Sequence, residues 1–383
     1  MVLERATRFL ARVIRQYYAK SEAGSLWLDK TRVNNVLVIE LAKIGDLICI
    51  IPVLRAIREN CDQARITVLC QDSHGGLLDL NNFQLETMKI KGSFKNPLLL
   101  LKTVSAIRKE NFDLLFVLSP SIIHGILSCL SGIRRRVGYL IPWTSKTPFL
   151  YNMPVDSYGV GLKHKARSVR DNLVERAMKP LSAVGFKPAG VKPTLEIAGR
   201  MVEEVAQSIS LDKRSFKQLI VMHVLKNGDG REWPLQNYTG LIKEINRTHE
   251  AHFILIGSWE EEEYISKIIQ DVGDHASAFV NEDIKRVAAL MKFSDLFIGC
   301  DSGPLHLAAA SGCKTIGMFG PAPPEFVAPP ECTKIIYKRV ECSPCEQGGC
   351  IKSSSCMESI SPQEVVQRVN EILPTGKGLS RDG

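Results

Sequence analysis

No stretch of this chain reads as a membrane span. The longest uncharged run, residues 114–133, reaches spanning length but holds Pro120, His124, Gly125, Gly132 and four serines, whereas a bilayer span needs about 20 consecutive apolar residues. It reads instead as a buried strand over 114–118 followed by a core helix. No secretory leader is expected either, because no apolar core precedes a small-residue cleavage site in the first residues. A cytoplasmic setting is therefore expected, with the eleven cysteines mostly reduced and no disulfide framework. Nothing indicates nucleic acid: no binding-module signature is present and no basic run is interleaved with aromatics. The Gly-x-Gly-x-x-Gly fingerprint of a dinucleotide dehydrogenase is absent, as are short repeats and low-complexity tracts.

What is present is the composition of a folded protein, 45% hydrophobic and 23% charged. A length of 383 residues suits two domains of ordinary size. The formal charge of +8 fits an anionic partner, or serves only solubility. Residues 1–30 form a separate basic unit. Leu3, Ala6, Leu10 and Tyr17 recur at helical spacing, and Arg5, Arg8, Arg12 and Arg15 recur on the opposite face. Such a helix lies on an anionic membrane surface or packs on the body with its arginines in water.

The fold class expected is α/β. The run Val36-Leu37-Val38-Ile39-Glu40-Leu41 leads through a turn into a helix from about Leu47 to Arg58, kinked at Pro52, and then into Ile66-Thr67-Val68-Leu69-Cys70. That β-α-β unit belongs to a parallel sheet. A second alternating series begins near Leu219. Pro188, Gly190 and Pro193 mark the linker. Two Rossmann-like parallel-sheet domains facing a cleft are expected, over residues 31–190 and 191–373, with 374–383 a frayed tail. Ligands of such sheets bind outside the carboxyl ends of the strands.

Three segments carry chemistry. Ala42-Lys43-Ile44-Gly45-Asp46 puts one carboxylate at a helix start, and taken alone that Asp is an ordinary N-cap. Lys226-Asn227-Gly228-Asp229-Gly230-Arg231-Glu232-Trp233-Pro234 is a glycine-rich loop whose Lys226 and Arg231 can meet a diphosphate or simply be solvated. Asp301-Ser302-Gly303-Pro304-Leu305-His306 follows a strand, offers N-caps and opens a helix, and so presents free N–H groups and a positive dipole end to an anion.

Taken in order, these segments resemble glycosyltransferase family 9, the heptosyltransferases of lipopolysaccharide synthesis. The resemblance rests on Ile44-Gly45-Asp46 with Pro52-Val53-Leu54-Arg55-Ala56-Ile57-Arg58, on Gly132-Ile133-Arg134-Arg135-Arg136-Val137-Gly138-Tyr139, and on Arg231-Glu232-Trp233-Pro234. Asp301-Ser302-Gly303-Pro304-Leu305-His306 and Phe319-Gly320-Pro321 complete it. It implies a GT-B fold and metal-independent, inverting transfer from a nucleotide-activated heptose, typically ADP-linked. It places Asp46 at the catalytic base. Lys226, Asn227, Arg231, Glu260, Asp301, Ser302, Gly303 and His306 fall at donor-binding positions, with Arg231 where the family usually has a lysine. Arg134, Arg135 and Arg136 are expected to meet acceptor phosphates. The implied partners are an ADP-heptose-like nucleotide sugar, a lipid-linked glycan acceptor and the inner face of the cytoplasmic membrane, to which the chain would be peripheral.

Inversion is a single displacement, so one carboxylate suffices where hydrolases use a pair. A free Asp titrates near ~3.9, so Asp46 is ionised and weakly basic unless desolvated. Cys342, Cys345, Cys350 and Cys356, in the Cys-rich segment 342–356, offer a structural Zn or Fe site, or are free thiols bracing a loop. The alternatives are a GT-B transferase with another nucleotide sugar, one with a protein or O-antigen acceptor, and a non-catalytic sugar-nucleotide binding protein, which has no need of Asp46.

Overall fold

The computed structural model describes residues 29–140, 150–156, 171–188, 190–209, 216–226, 228, 230–345, 350 and 355–373. The N-terminal helix expected over residues 1–20, Asn227 and the tail 374–383 lie outside the described residues. The chain divides into two compact units, Met1–Pro193 and Thr194–Gly383.

The first unit holds strands β1 (Asn35–Ile39), β2 (Arg65–Gln71), β3 (Leu85–Ile90), β4 (Leu114–Val117), β5 (Arg135–Leu140) and β6 (Met153–Asp156). They form one sheet of order β3-β2-β1-β4-β5-β6, parallel throughout. The second unit holds β7 (Gln218–His223), β8 (Ala251–Gly257), β9 (Ala276–Val280), β10 (Leu296–Cys300), β11 (Thr315–Phe319) and β12 (Lys334–Tyr337). Its order, β12-β11-β10-β7-β8-β9, is the first sheet's pattern repeated. In each, the order reverses between the first and fourth strands, and that is where doubly wound sheets bind ligands. The switch points are β1/β4 and β7/β10.

The strands form because their apolar runs are covered on both faces. Val36 to Ile39 are wholly buried, and in β7 and β10 no residue is exposed. Leu37, Ile39, Leu115 and Val117 pack with Ile126 and Leu127 of the helix Ile122–Ser131 in one core. Ile220, Met222, Phe253, Leu296 and Ile298 anchor the other with Tyr238 and Leu241. Both sheets use the same tie at their amino edge. Asp113, before β4, accepts from the Asn34 and Asn35 amides at 2.8 and 2.9 Å. Asp295, before β10, accepts from the Leu219 amide at 2.8 Å.

The apolar run from residue 114 is strand β4 followed by the core helix Ile122–Ser131, with Pro120 between them and Gly132 at the helix end. Among the described residues no helix is long and apolar enough to cross a membrane. One local expectation fails. Pro52 does not kink a single helix; it occupies the first turn of a new one, Ile51–Asn60, after a short helix Ile44–Cys49. A proline lacks the N–H that a helix interior needs, and a first turn does not need it.

Candidate functional site

In the first unit the carboxyl edge at the β1/β4 switch point is built from three pieces. Glu40 follows β1 directly. The helix Ile44–Cys49 comes next, with Lys43 as N-cap and Asp46 in its first turn. Asp46 is therefore not the N-cap; it sits three residues in and accepts from the Lys43 amide behind it, half of a capping box. The third piece is the helix Leu173–Ser182, whose Leu173, Arg176 and Ala177 share one face. Glu40, Ala42, Asp46, Ser119, Tyr139 and Arg176 all line one cavity of about 30 Å³, enough to admit a water or a hydroxyl.

The electrostatics of this edge are those of a confined acid site. Burial raises the Asp46 carboxyl above the ordinary range, and the Arg176 guanidinium, the Lys43 amide and the Lys43 charge oppose the rise. Asp46 is thereby a stronger base than a free aspartate. Glu40 is only 3% exposed and is pushed up to about 8, first by burial and then by Asp46. Its Oε1 accepts from the Ala42 amide at 2.9 Å. Sequence reasoning does not single out Glu40 or Arg176: one reads as the end of a strand, the other lies 136 residues downstream of it.

Arg134, Arg135 and Arg136 are not at this edge. β5 begins at Arg135, paired with Leu114, which is itself paired with Val36 at the start of β1. The three arginines therefore stand at the amino edge of a parallel sheet, a strand's length of roughly 13–16 Å from the carboxyl edge. Strand alternation also separates them. Arg136 is buried, and its guanidinium donates to the Ile133 carbonyl at 2.8 Å and the Leu150 carbonyl at 3.4 Å; Arg134 is exposed. Arg134, Arg135 and Arg136 are thus not gathered with the β1/β4 switch-point residues.

In the second unit the β7/β10 switch point gathers Arg231, Asp301, Ser302 and His223. Arg231, 7% exposed, donates to the Asp301 carbonyl at 2.7 Å and lies 3.9 Å from its carboxylate. Ser302 is the N-cap of the helix Gly303–Ala310, but its side chain makes no cap bond. Its hydroxyl donates to the Cys300 carbonyl and lies 3.1 Å from His223 Nδ1, so the helix start keeps amide N–H groups that an anion can meet. Gly312, φ +80°, follows this helix in the left-handed region that suits a helix end. His306 is buried, bonded to the Val327 carbonyl, and held down to about 4, which leaves a neutral imidazole. Lys226 is drawn to Tyr264: its ammonium bonds the phenol oxygen and lies 4.2 Å from the ring centre.

Glu260 is exposed, with only its amide engaged, on Ser258 Oγ at 3.3 Å. The acid that turns inward at the carboxyl end of β8 is Glu261, 6% exposed. It accepts from the Ser258 amide at 2.8 Å and hydroxyl at 2.5 Å, and from the Lys226 amide at 3.4 Å. In a run of four glutamates, spacing alone does not say which one the strand end turns inward.

The expected tetrathiolate site is not formed. Among the described residues no three His, Cys, Asp or Glu side chains gather as a metal requires. Burial raises the Cys345 and Cys356 thiols, and neighbouring cysteines raise them further. Cys356 is instead packed against Gly320, its sulfur 2.7 Å from where a Cβ would stand. Cys350 lies against Gly230 of the glycine-rich loop, where φ is +84°.

Two doubly wound sheets in one chain, each with polar groups at its switch point, define an α/β protein of the GT-B class. The pattern of glycosyltransferase family 9 (heptosyltransferase) matches residues 100–355, two thirds of the chain, and the chain belongs to that family. The lipooligosaccharide heptosyltransferase 2 of Campylobacter jejuni is 28% identical over 152 residues, 38% of this chain and 48% of the relative; the match thus spans about half of that relative's length. Among solved structures, the family 9 glycosyl transferase of Veillonella parvula has a TM-score of 0.71 at 16% identity, covering 90% of this chain and 98% of the other. The E. coli ADP-heptose lipopolysaccharide heptosyltransferase II has a TM-score of 0.70 at 18% identity, covering 88% and 98%. These likenesses show a shared fold.

Proposed function

We propose that this chain is an inverting, metal-independent glycosyltransferase that moves a heptose or related sugar from an ADP-activated donor to a lipopolysaccharide-core acceptor, with Asp46 as general base. The observation that carries the reading is the placement of Asp46: a partly desolvated carboxylate, fixed at a helix start over a switch point, beside a cavity that admits a hydroxyl. In the step proposed, Asp46 takes the acceptor hydroxyl proton. The acceptor oxygen bonds the anomeric carbon from one face, and the bond to the diphosphate breaks on the other, its electron pair leaving with the phosphate. In the second unit, Arg231 and the start of the helix Gly303–Ala310 receive the diphosphate, supplying positive charge without a bound cation. Similarity to an enzyme named for ADP-heptose supports the donor class. The net charge of +8 supports work on a phosphorylated lipid acceptor at the inner membrane face. The test is transfer by Asp46→Ala, assayed beside its affinity for ADP: the reading expects ADP affinity to persist and transfer to vanish.

A further inference from the structure

The cavity beside Asp46 contains a second acid to which a single-base displacement assigns no task. Glu40 is nine-tenths buried or more and opens onto the same small space. Its surroundings are known from each element packed on it: Asp46 and Cys49 from the helix Ile44–Cys49, Ser119 from the end of β4, Tyr139 from β5, and Arg176 from the helix Leu173–Ser182, with Lys43 acting on Asp46. The Tyr139 hydroxyl donates to the Arg176 carbonyl at 2.8 Å and so fixes the arginine-bearing turn. His124 Nδ1 lies 2.8 Å from the Ser119 carbonyl, so that nitrogen is the donor. The Ser119 hydroxyl, which accepts from the Leu41 amide at 3.1 Å, is then free to donate to Glu40. The Arg176 guanidinium thus acts on both the buried Glu40 and the half-buried Asp46, while the Lys43 charge acts on Asp46, so an ionised Glu40 would have no cation of its own.

We propose that Glu40 is a positioning residue for Asp46: the two carboxyls share one proton, Glu40 carries it, and Asp46 is thereby kept as the ionised member that faces the acceptor. This rests on Asp46 being the base. Two acids in unequal surroundings are driven to opposite protonation states, the more enclosed one staying neutral. Glu40 is the more enclosed, since Asp46 also has the Lys43 amide and charge. Loss of the Glu40 proton would place a second negative charge beside Asp46 and make it a stronger base.

The experiment is a carboxyl titration of the full chain labelled with ¹³C at the Glu and Asp side-chain carboxyls, followed by NMR in wild type, Glu40→Gln and Asp46→Asn. The expected result is one Glu signal titrating near pH 8 in wild type, absent from Glu40→Gln and moved to lower pH in Asp46→Asn. No Glu titrating above pH ~6, or a Glu40 titration that Asp46→Asn leaves in place, would overturn the proposal. The pH profile of transfer supplies the second readout. Wild-type kcat/KM should rise again through about pH 8 while Glu40→Gln levels off; a Glu40 that only holds structure would lower both limbs equally and contradict it. If Asp46→Asn still transferred sugar, the base assignment would fall while the shared titration could stand, so the two failures are distinguishable.

Discussion

His223 Nδ1 lies 3.1 Å from Ser302 Oγ, so the last residue of β7 is bonded to the N-cap of the helix that follows β10. Because the Ser302 hydroxyl already donates to the Cys300 carbonyl, the imidazole is the donor. Burial holds His223 down to about 4. It must therefore be neutral in the fold, and the bond locks the two strand ends where an anion would meet the helix start.

Ser302→Ala should cost about 1–3 kcal/mol of stability, because it leaves a buried imidazole N–H without its acceptor; denaturant unfolding measures this. The sign with pH follows from the same burial. His223 and His306 both sit near 4 in the fold against 6.5 when free, so between those values the unfolded chain binds protons that the fold does not. Stability is present above pH 6.5 and is lost as pH falls toward 4.

Glu260→Ala should change stability by no more than about 0.5 kcal/mol, as an exposed substitution does. Glu261→Ala should lower it by about 1–3 kcal/mol, since the Ser258 and Lys226 amides lose their acceptor. Thermal unfolding of the pair checks which glutamate the strand end employs.

Arg136→Ala should destabilise the first unit by about 1–3 kcal/mol through two unpaired carbonyls. Arg134→Ala should cost less than Arg136→Ala, because Arg134 is exposed, and neither should abolish acceptor turnover, because both stand at the amino edge. Unfolding and turnover are measured on the same preparations.

Glu40 gives the opposite pH sign to the histidines. It sits near 8 in the fold against 4.5 when free, so between those values the fold binds a proton that the unfolded chain does not. Its contribution is present below pH 4.5 and is lost as pH rises to 8, a few kcal/mol in all. Glu40→Gln should flatten the fall in thermal midpoint between pH 5 and pH 8.

The repeating strand–helix order was readable because its signal is local: apolar runs such as Val36–Ile39 and Leu296–Cys300 bounded by turns. The Asp301-Ser302-Gly303-Pro304 helix start was readable for the same reason. Glu40 was not, since one acid at the end of an apolar strand looks like a strand end until Arg176 is brought beside it by the fold. The place of the arginine triplet was not readable, because strand pairing decides which edge the three cations occupy and alternation decides which one is buried. The spacing of the four cysteines did make their nearness readable, since Cys345 and Cys356 each feel neighbouring thiols, but not that Cys356 would be buried against Gly320.

The central claim is that Asp46 removes the acceptor proton in one displacement. The direct measurement is single-turnover transfer from an ADP-heptose by Asp46→Asn, with ADP affinity determined on the same protein. A fall in rate of about 10²–10⁴-fold with ADP affinity kept within about threefold is the predicted result. Transfer at the wild-type rate would contradict it.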